Sequence, residues 1–164
     1  VQGDALLTPA SFVEALIERM RGNDADVATP AMRLRSDEVR ALQQEERAGR
    51  VGGTTVVSDS SGHALYFSKR LIPHLPAGAL DSELSPVHLH VGVYAYRPEA
   101  LNAYAATPPA ELEELEGLEQ LRFLAAGIPV AVVDVEVPPF ALRELNNPED
   151  VTPIEDALAL AGLE

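Results

Sequence analysis

Apolar residues return every three or four positions after Thr8-Pro9, at Phe12, Val13, Leu16, Ile17 and Met20. That spacing predicts one face of a helix. Thr8 is a good cap, Pro9 suits a first turn, and Gly22 marks a stop. A short strand is predicted over 27–29. Ser36 caps a second helix running to about Ala48, mostly polar and therefore exposed. Gly52-Gly53 interrupts the chain. The pattern then predicts a strand over 54–58, a turn at Asp59-Ser60-Ser61-Gly62 and a return strand over 64–68.

Residues 71–86 hold Pro73, Pro76 and Pro86 and show little periodicity, which predicts a long loop or arm. Residues 88–96 are β-branched and aromatic enough for a strand. Pro98 opens a short helix carrying Leu101 and Tyr104. A strongly acidic helix is predicted over 111–126, with Leu112, Leu115, Leu118, Leu121 and Leu124 near helical spacing and Gly127 as its end. The near-continuous apolar run 130–135 reads as a strand covered on both faces. Asn147-Pro148-Glu149-Asp150 resembles a helix start, with acids in the first turn. Pro153, capped by Thr152, is the other possible start. Strands alternating with helices indicate an α/β fold.

Length and composition bound the class. The chain has 164 residues, and 46% of them are hydrophobic, enough for one packed domain. No apolar run approaches the roughly 18 residues of a membrane span. Cysteine is absent, which excludes disulfides and thiolate metal sites and favours a cytoplasmic location. The net charge of −14 argues against nucleic acid as a partner, since that binding depends on neutralising phosphates. A small anion remains possible if a divalent cation bridges it to the protein.

Several residues carry candidate chemistry, each beside a plainer reading. Asp4 follows Gly3 at the predicted C-terminal end of a strand, where open α/β sheets gather ligands; a solvated turn aspartate is the alternative. Asn146 is either a helix cap or a neutral ligand to a cation. His90 could donate to a carboxylate or hydroxyl, or be a structural strand histidine. His88 shares its strand face by alternation, but no third zinc ligand is evident. The acids Glu111, Glu113, Glu114 and Glu116 read as a solvated face. Arg122, three positions after Glu119, is placed to pair with it.

Five segments, in this order, resemble the 3-deoxy-manno-octulosonate (Kdo) cytidylyltransferases. They are Val1-Gln2-Gly3-Asp4, Ala64-Leu65-Tyr66-Phe67-Ser68, His90-Val91-Gly92-Val93-Tyr94-Ala95-Tyr96-Arg97, Leu118-Glu119-Gln120-Leu121-Arg122 and Asn147-Pro148-Glu149-Asp150-Val151. The resemblance implies a nucleotide-diphospho-sugar transferase-like three-layer α/β fold with a mostly parallel mixed sheet. Residues 1–164 would form a single partial domain for sugar-acid binding and dimerisation. The family's Gly-rich, basic nucleotide-binding segment has no counterpart here, so an N-terminal portion is expected upstream.

The implied activity is transfer of CMP from CTP to Kdo, giving CMP-Kdo and pyrophosphate for lipopolysaccharide assembly. Implied with it are Mg²⁺, a homodimer, a cytoplasmic setting and no membrane or nucleic-acid partner. Asp4 and Lys69 become the candidate catalytic residues. Asp4 and Asn146 would hold the metal, while Gln2, His90, Glu119, Gln120 and Arg70 would contact substrate. The chain also departs from the family pattern. Asn146 stands for an aspartate, Lys69 and Pro76 for arginines, Thr55 for a lysine, and Ala5-Leu6 for Glu-Pro. Two other readings therefore stay open: a cytidylyltransferase for another acid sugar, such as a sialic-acid-like one, and an inactive binding or dimerising relative.

Overall fold

The computed structural model describes residues 7–22, 24–138 and 151–160. Within them run α1 (Ala10–Met20), β1 (Val27–Arg35), α2 (Ser36–Arg47), β2 (Thr55–Ser58), β3 (Ala64–Ser68), β4 (Leu84–His90), β5 (Ala95–Tyr96), α3 (Pro98–Ala106), α4 (Glu111–Glu116), α5 (Leu121–Ala125), β6 (Val130–Val135) and α6 (Val151–Leu160). Gln2, Asp4, Asn146 and the Asn147–Asp150 helix start lie outside the described residues.

Strand β1 organises the sheet. The strand order is β3-β2-β4-β1-β5, and β6 pairs with β1 along its other edge. The β1–β6 pair is parallel, whereas β1–β4, β1–β5, β2–β3 and β2–β4 are antiparallel. The expected mixed sheet is therefore present, with its parallel character confined among the described residues to β1–β6. A tight turn joins β2 to β3, and such a connection admits only antiparallel pairing. The sheet curls: Val132 N–H donates to the Gly62 carbonyl at 2.8 Å, bringing the β2–β3 turn against β6.

Helices cover both faces, giving three layers. On one face Val27, Ala31, Val56, Phe67 and Val130 pack against Ala100, Leu121 and Phe123 of α3 and α5. On the other, Ala28 and Ala131 meet Leu16 of α1, with Ala25 and Val93. Val130 and Ala131 are fully buried, as their unbroken apolar run implies. A further cluster joins Leu34, Val39 and Val87 to Leu42, Leu71, Leu75 and Leu80. Thus α2 is not exposed all round, and the proline-rich arm packs on it. Leu7 packs with Ile154 and Ala157 of α6.

Three boundaries differ from expectation, each for a local reason. β1 runs through Pro30 to Arg35 and does not stop at Thr29. Pro30 sits where β1 changes partner from β5 to β4, so its missing N–H falls at a gap in the ladder. The strand expected over 88–96 is broken at 91–94. There the Thr29 hydroxyl lies 3.2 Å from the Val91 carbonyl and 2.9 Å from that of Val93. The acidic helix ends at Gly117, whose φ of 60° is left-handed, and resumes as α5.

Thr55, where the resemblance leads one to expect a lysine, makes a structural bond. It is 2% exposed, its hydroxyl donates to the Arg70 carbonyl at 2.7 Å, and it accepts from Ile72 N–H at 3.2 Å. Thr55→Val keeps the shape but strands both backbone groups. Urea denaturation should show a loss of about 2 kcal/mol.

Candidate functional site

The segment 117–120 is a turn between two short helices, not part of one. Gly117 closes α4, and Leu118 N–H bonds back to the Glu113 carbonyl at 3.1 Å. Glu119 is exposed. Gln120 is 3% exposed, and its Nε2 has no hydrogen-bond partner among the described residues. A buried amide with unused donors is uncommon, because it has left water without replacing its bonds.

Lys69 comes to the same turn. A Cβ built on Gly117 would lie 2.8 Å from the Lys69 Nζ, so the ammonium sits directly over that glycine. Arg70 does not join it. Its guanidinium donates to Glu46 of α2 at 3.1 Å, which takes it away from the turn. Of the two cations expected at this place, Lys69 alone reaches it.

An aromatic row walls the site. Phe67 meets His90 edge-on at 5.1 Å, His90 meets Tyr94 at 5.5 Å, and Tyr94 stacks on Tyr96 at 5.5 Å. Phe123 and then Tyr104 continue the row. The break at 91–94 makes this possible, since a continuous strand would put Tyr94 elsewhere. Burial, and then the charge of Glu119, push the Tyr96 phenol up to about 12, while burial and then the neighbouring Tyr96 raise Tyr94 still further. Both stay protonated near neutrality.

The role of His90 shifts from the sequence expectation. Its Nε2 is 2.9 Å from the Thr29 hydroxyl. That hydroxyl has one proton, which goes to the Val93 carbonyl at 2.9 Å. Thr29 must then accept from His90, and the ring carries its proton on Nε2. Burial lowers the His90 pKa to about 4, so the ring is neutral. The free Nδ1 is an acceptor with no proton to donate.

Other expected pairings are also corrected. Arg122 does not pair with Glu119. It forks onto Glu113 at 2.5 and 2.7 Å and lies 4.1 Å over the Tyr104 ring. The break at Gly117 rotates Glu119 away from the face that an unbroken helix would give it. Glu116 is not a solvated acid either. It accepts from the Ser68 hydroxyl at 2.7 Å, Lys69 N–H at 2.9 Å and the Tyr66 hydroxyl at 3.3 Å. Its burial raises its pKa, but these three donors outweigh that and hold it below the usual value. Arg97, in the most distinctive segment, is structural: it donates to the carbonyls of Met20, Gly22 and Ala25 and fastens the end of α1. His88 stands 3.5 Å from Asp134. Among the described residues no group of three or more His, Asp or Glu gathers as a metal site.

A family model described as cytidylyltransferase matches residues 1–134, and the chain belongs to that family. Among curated relatives, the 3-deoxy-manno-octulosonate cytidylyltransferase of Maricaulis maris (strain MCS10) is 34% identical over 163 residues, covering 99% of this chain and 62% of that protein. The enzyme of the same name from Vibrio campbellii (strain ATCC BAA-1116) is 33% identical, over 97% of this chain and 60% of its own length. A solved CMP:2-keto-3-deoxy-manno-octonic acid synthetase, complexed with CTP, superposes with a TM-score of 0.79 at 29% identity, over 98% of this chain and 61% of that one. The chain therefore spans about three fifths of the length of these relatives.

His90 also gives the site a signature in stability. The folded state leaves the ring neutral down to about pH 4, whereas the unfolded chain protonates near 6.5. Between those values the unfolded state binds the extra proton, so stability falls as pH drops from about 6.5 to 4. The full loss is on the order of 3 kcal/mol. Glu113 and Glu116, held low in the fold, lose their contribution only below their ordinary 4.5. Denaturation midpoints between pH 4.5 and 6.5 should therefore slope in the wild type and flatten in His90→Asn.

Proposed function

We propose that this chain supplies the sugar-acid-binding part of a cytidylyltransferase that transfers CMP from CTP to Kdo, releasing pyrophosphate. The observation that carries this reading is the Lys69 ammonium over Gly117, in the turn that also carries Glu119 and the buried Gln120 amide, unpartnered among the described residues. Together they match the two ends of a sugar acid. Lys69 would hold the carboxylate as a point charge. Gln120 Nε2 would donate to a hydroxyl, and Glu119 and His90 Nδ1 would accept from others. The protonated, stacked tyrosines would form an apolar wall along the ring.

Orientation is what these residues contribute to the reaction. The anomeric hydroxyl of the sugar attacks the α-phosphorus of CTP, and the bond to pyrophosphate breaks. Holding the sugar in one pose makes that encounter effectively unimolecular. The magnesium assignment rests on the Gln2-Gly3-Asp4 resemblance. Asp4 and Asn146, which would hold the ion, lie outside the described residues. On the same reading the partners are CTP and Kdo, the chain works as a homodimer in the cytoplasm, and CMP-Kdo feeds lipopolysaccharide assembly. No described helix is long and apolar enough to cross a membrane.

The chain joined behind the nucleotide-binding portion of the Maricaulis maris relative should release pyrophosphate only when CTP and Kdo are both present. A sialic-acid-like sugar that replaced Kdo with equal efficiency would transfer the assignment to that sugar. Gln120→Leu provides the sharper check. It should raise KM for Kdo roughly tenfold while leaving the free protein as stable or more so, since it removes a buried donor without a partner. An unchanged KM would overturn the sugar-binding role of Gln120.

A further inference from the structure

Two parts of the candidate site come from distant parts of the chain. One is the Lys69 corner at the end of β3; the other is the Gly117–Gln120 turn after α4. One carboxylate joins them. Glu116 Oε2 accepts from Lys69 N–H at 2.9 Å, and Oε1 accepts from the Ser68 hydroxyl at 2.7 Å and the Tyr66 hydroxyl at 3.3 Å. The Ser68 hydroxyl accepts in turn from Arg70 N–H at 2.9 Å. The two backbone amides that follow β3 are thus oriented by one side chain, the second through a relay.

Its chemistry suits this task and little else. A carboxylate only accepts, and here it meets three donors. A glutamine would have to turn its NH₂ toward Lys69 N–H or toward the Ser68 hydroxyl. Glu116 is half-buried, where charge-assisted bonds are stronger and more directional than in water. Both of its oxygens are engaged by uncharged donors. The Lys69 charge acts on Glu116 without a direct ion pair among the described residues. The ammonium folds back over Gly117, the residue next to Glu116, where any side chain would displace it.

We propose that Glu116 is a positioning residue that ties the Lys69 corner to the turn beginning at Gly117, and so holds the Lys69 ammonium where a sugar carboxylate would meet it. This rests on the sugar-acid reading of the site. It adds a residue that touches no substrate and acts through Lys69.

A double-mutant cycle on Kdo binding to this chain, read by calorimetry with Mg²⁺ present, tests it. Glu116→Gln and Lys69→Met should each weaken binding roughly tenfold, and the double variant should bind no worse than Lys69→Met alone. A residue that merely holds the fold together would give losses that multiply, and that result overturns the proposal. So does Kdo affinity left intact by Glu116→Gln. Tyr66→Phe, which removes the longest of the three bonds, should leave affinity within about twofold. Should Glu116→Gln fail to fold, Ser68→Ala takes its place in the same cycle, since it removes one donor and the relay. A wild-type chain that gives no heat with Kdo sinks the sugar-acid reading itself, and is told apart from the other failures by occurring before any substitution.

Discussion

β1 is bonded along both edges and buried on both faces, and every part of the candidate site is placed with respect to it. Val27, Ala28, Thr29 and Ala31 have no exposed surface. Such a strand cannot shift register without turning its whole apolar set to the wrong side. Its partner change from β5 to β4 forces the chain out of the ladder at 91–94. Thr29 then satisfies the carbonyls left there, and the same hydroxyl fixes the tautomer of His90. A structural requirement of the sheet thereby decides the hydrogen-bonding sense of a ring in the pocket.

Much of this was legible in the sequence. The apolar runs at 12–20, 54–58, 64–68 and 130–135 fall where helices and strands form, because each places residues such as Phe12, Leu16, Val56, Phe67, Val130 and Ala131 in the core. What failed was continuity. The leucines from 112 to 124 look like one helix, and five of them near helical spacing outweigh one glycine in a pattern count. Yet Gly117 takes a left-handed φ and divides them. From that break follow the misplaced Arg122–Glu119 pair and the misreading of Glu113 and Glu116 as solvated. Glu113 and Arg122 are nine positions apart, a spacing no helical rule joins; only the fold of the chain between them does.

The site residues divide along the same line. Lys69, Glu119, Gln120 and His90 were visible because they lie in segments that resemble a family, and the first three converge on one turn. Arg70 lies in the same stretch as Lys69, but Glu46 on α2 draws it off. Thr29 and Glu116 carried no signal. A threonine in a strand and a glutamate in an acidic run are ordinary, and their roles arise from contacts 61 and 48 positions away in the chain.

The acidity of the chain sets a direction on any anionic ligand. Glu113 is tied to Arg122, and Glu116 is held by three donors, so neither presents a free carboxylate to the pocket. Glu119 does. Its charge is strong enough at Tyr94 and Tyr96 to raise both phenols, although burial contributes more. A ligand carboxylate placed toward Glu119 would meet like charge, and one placed toward His90 would meet a neutral ring with a lone pair. Among the described residues of this turn, Lys69 is the favourable end. An anion that reached it would be directed by repulsion as much as by attraction, away from Glu119 and toward the β3 corner.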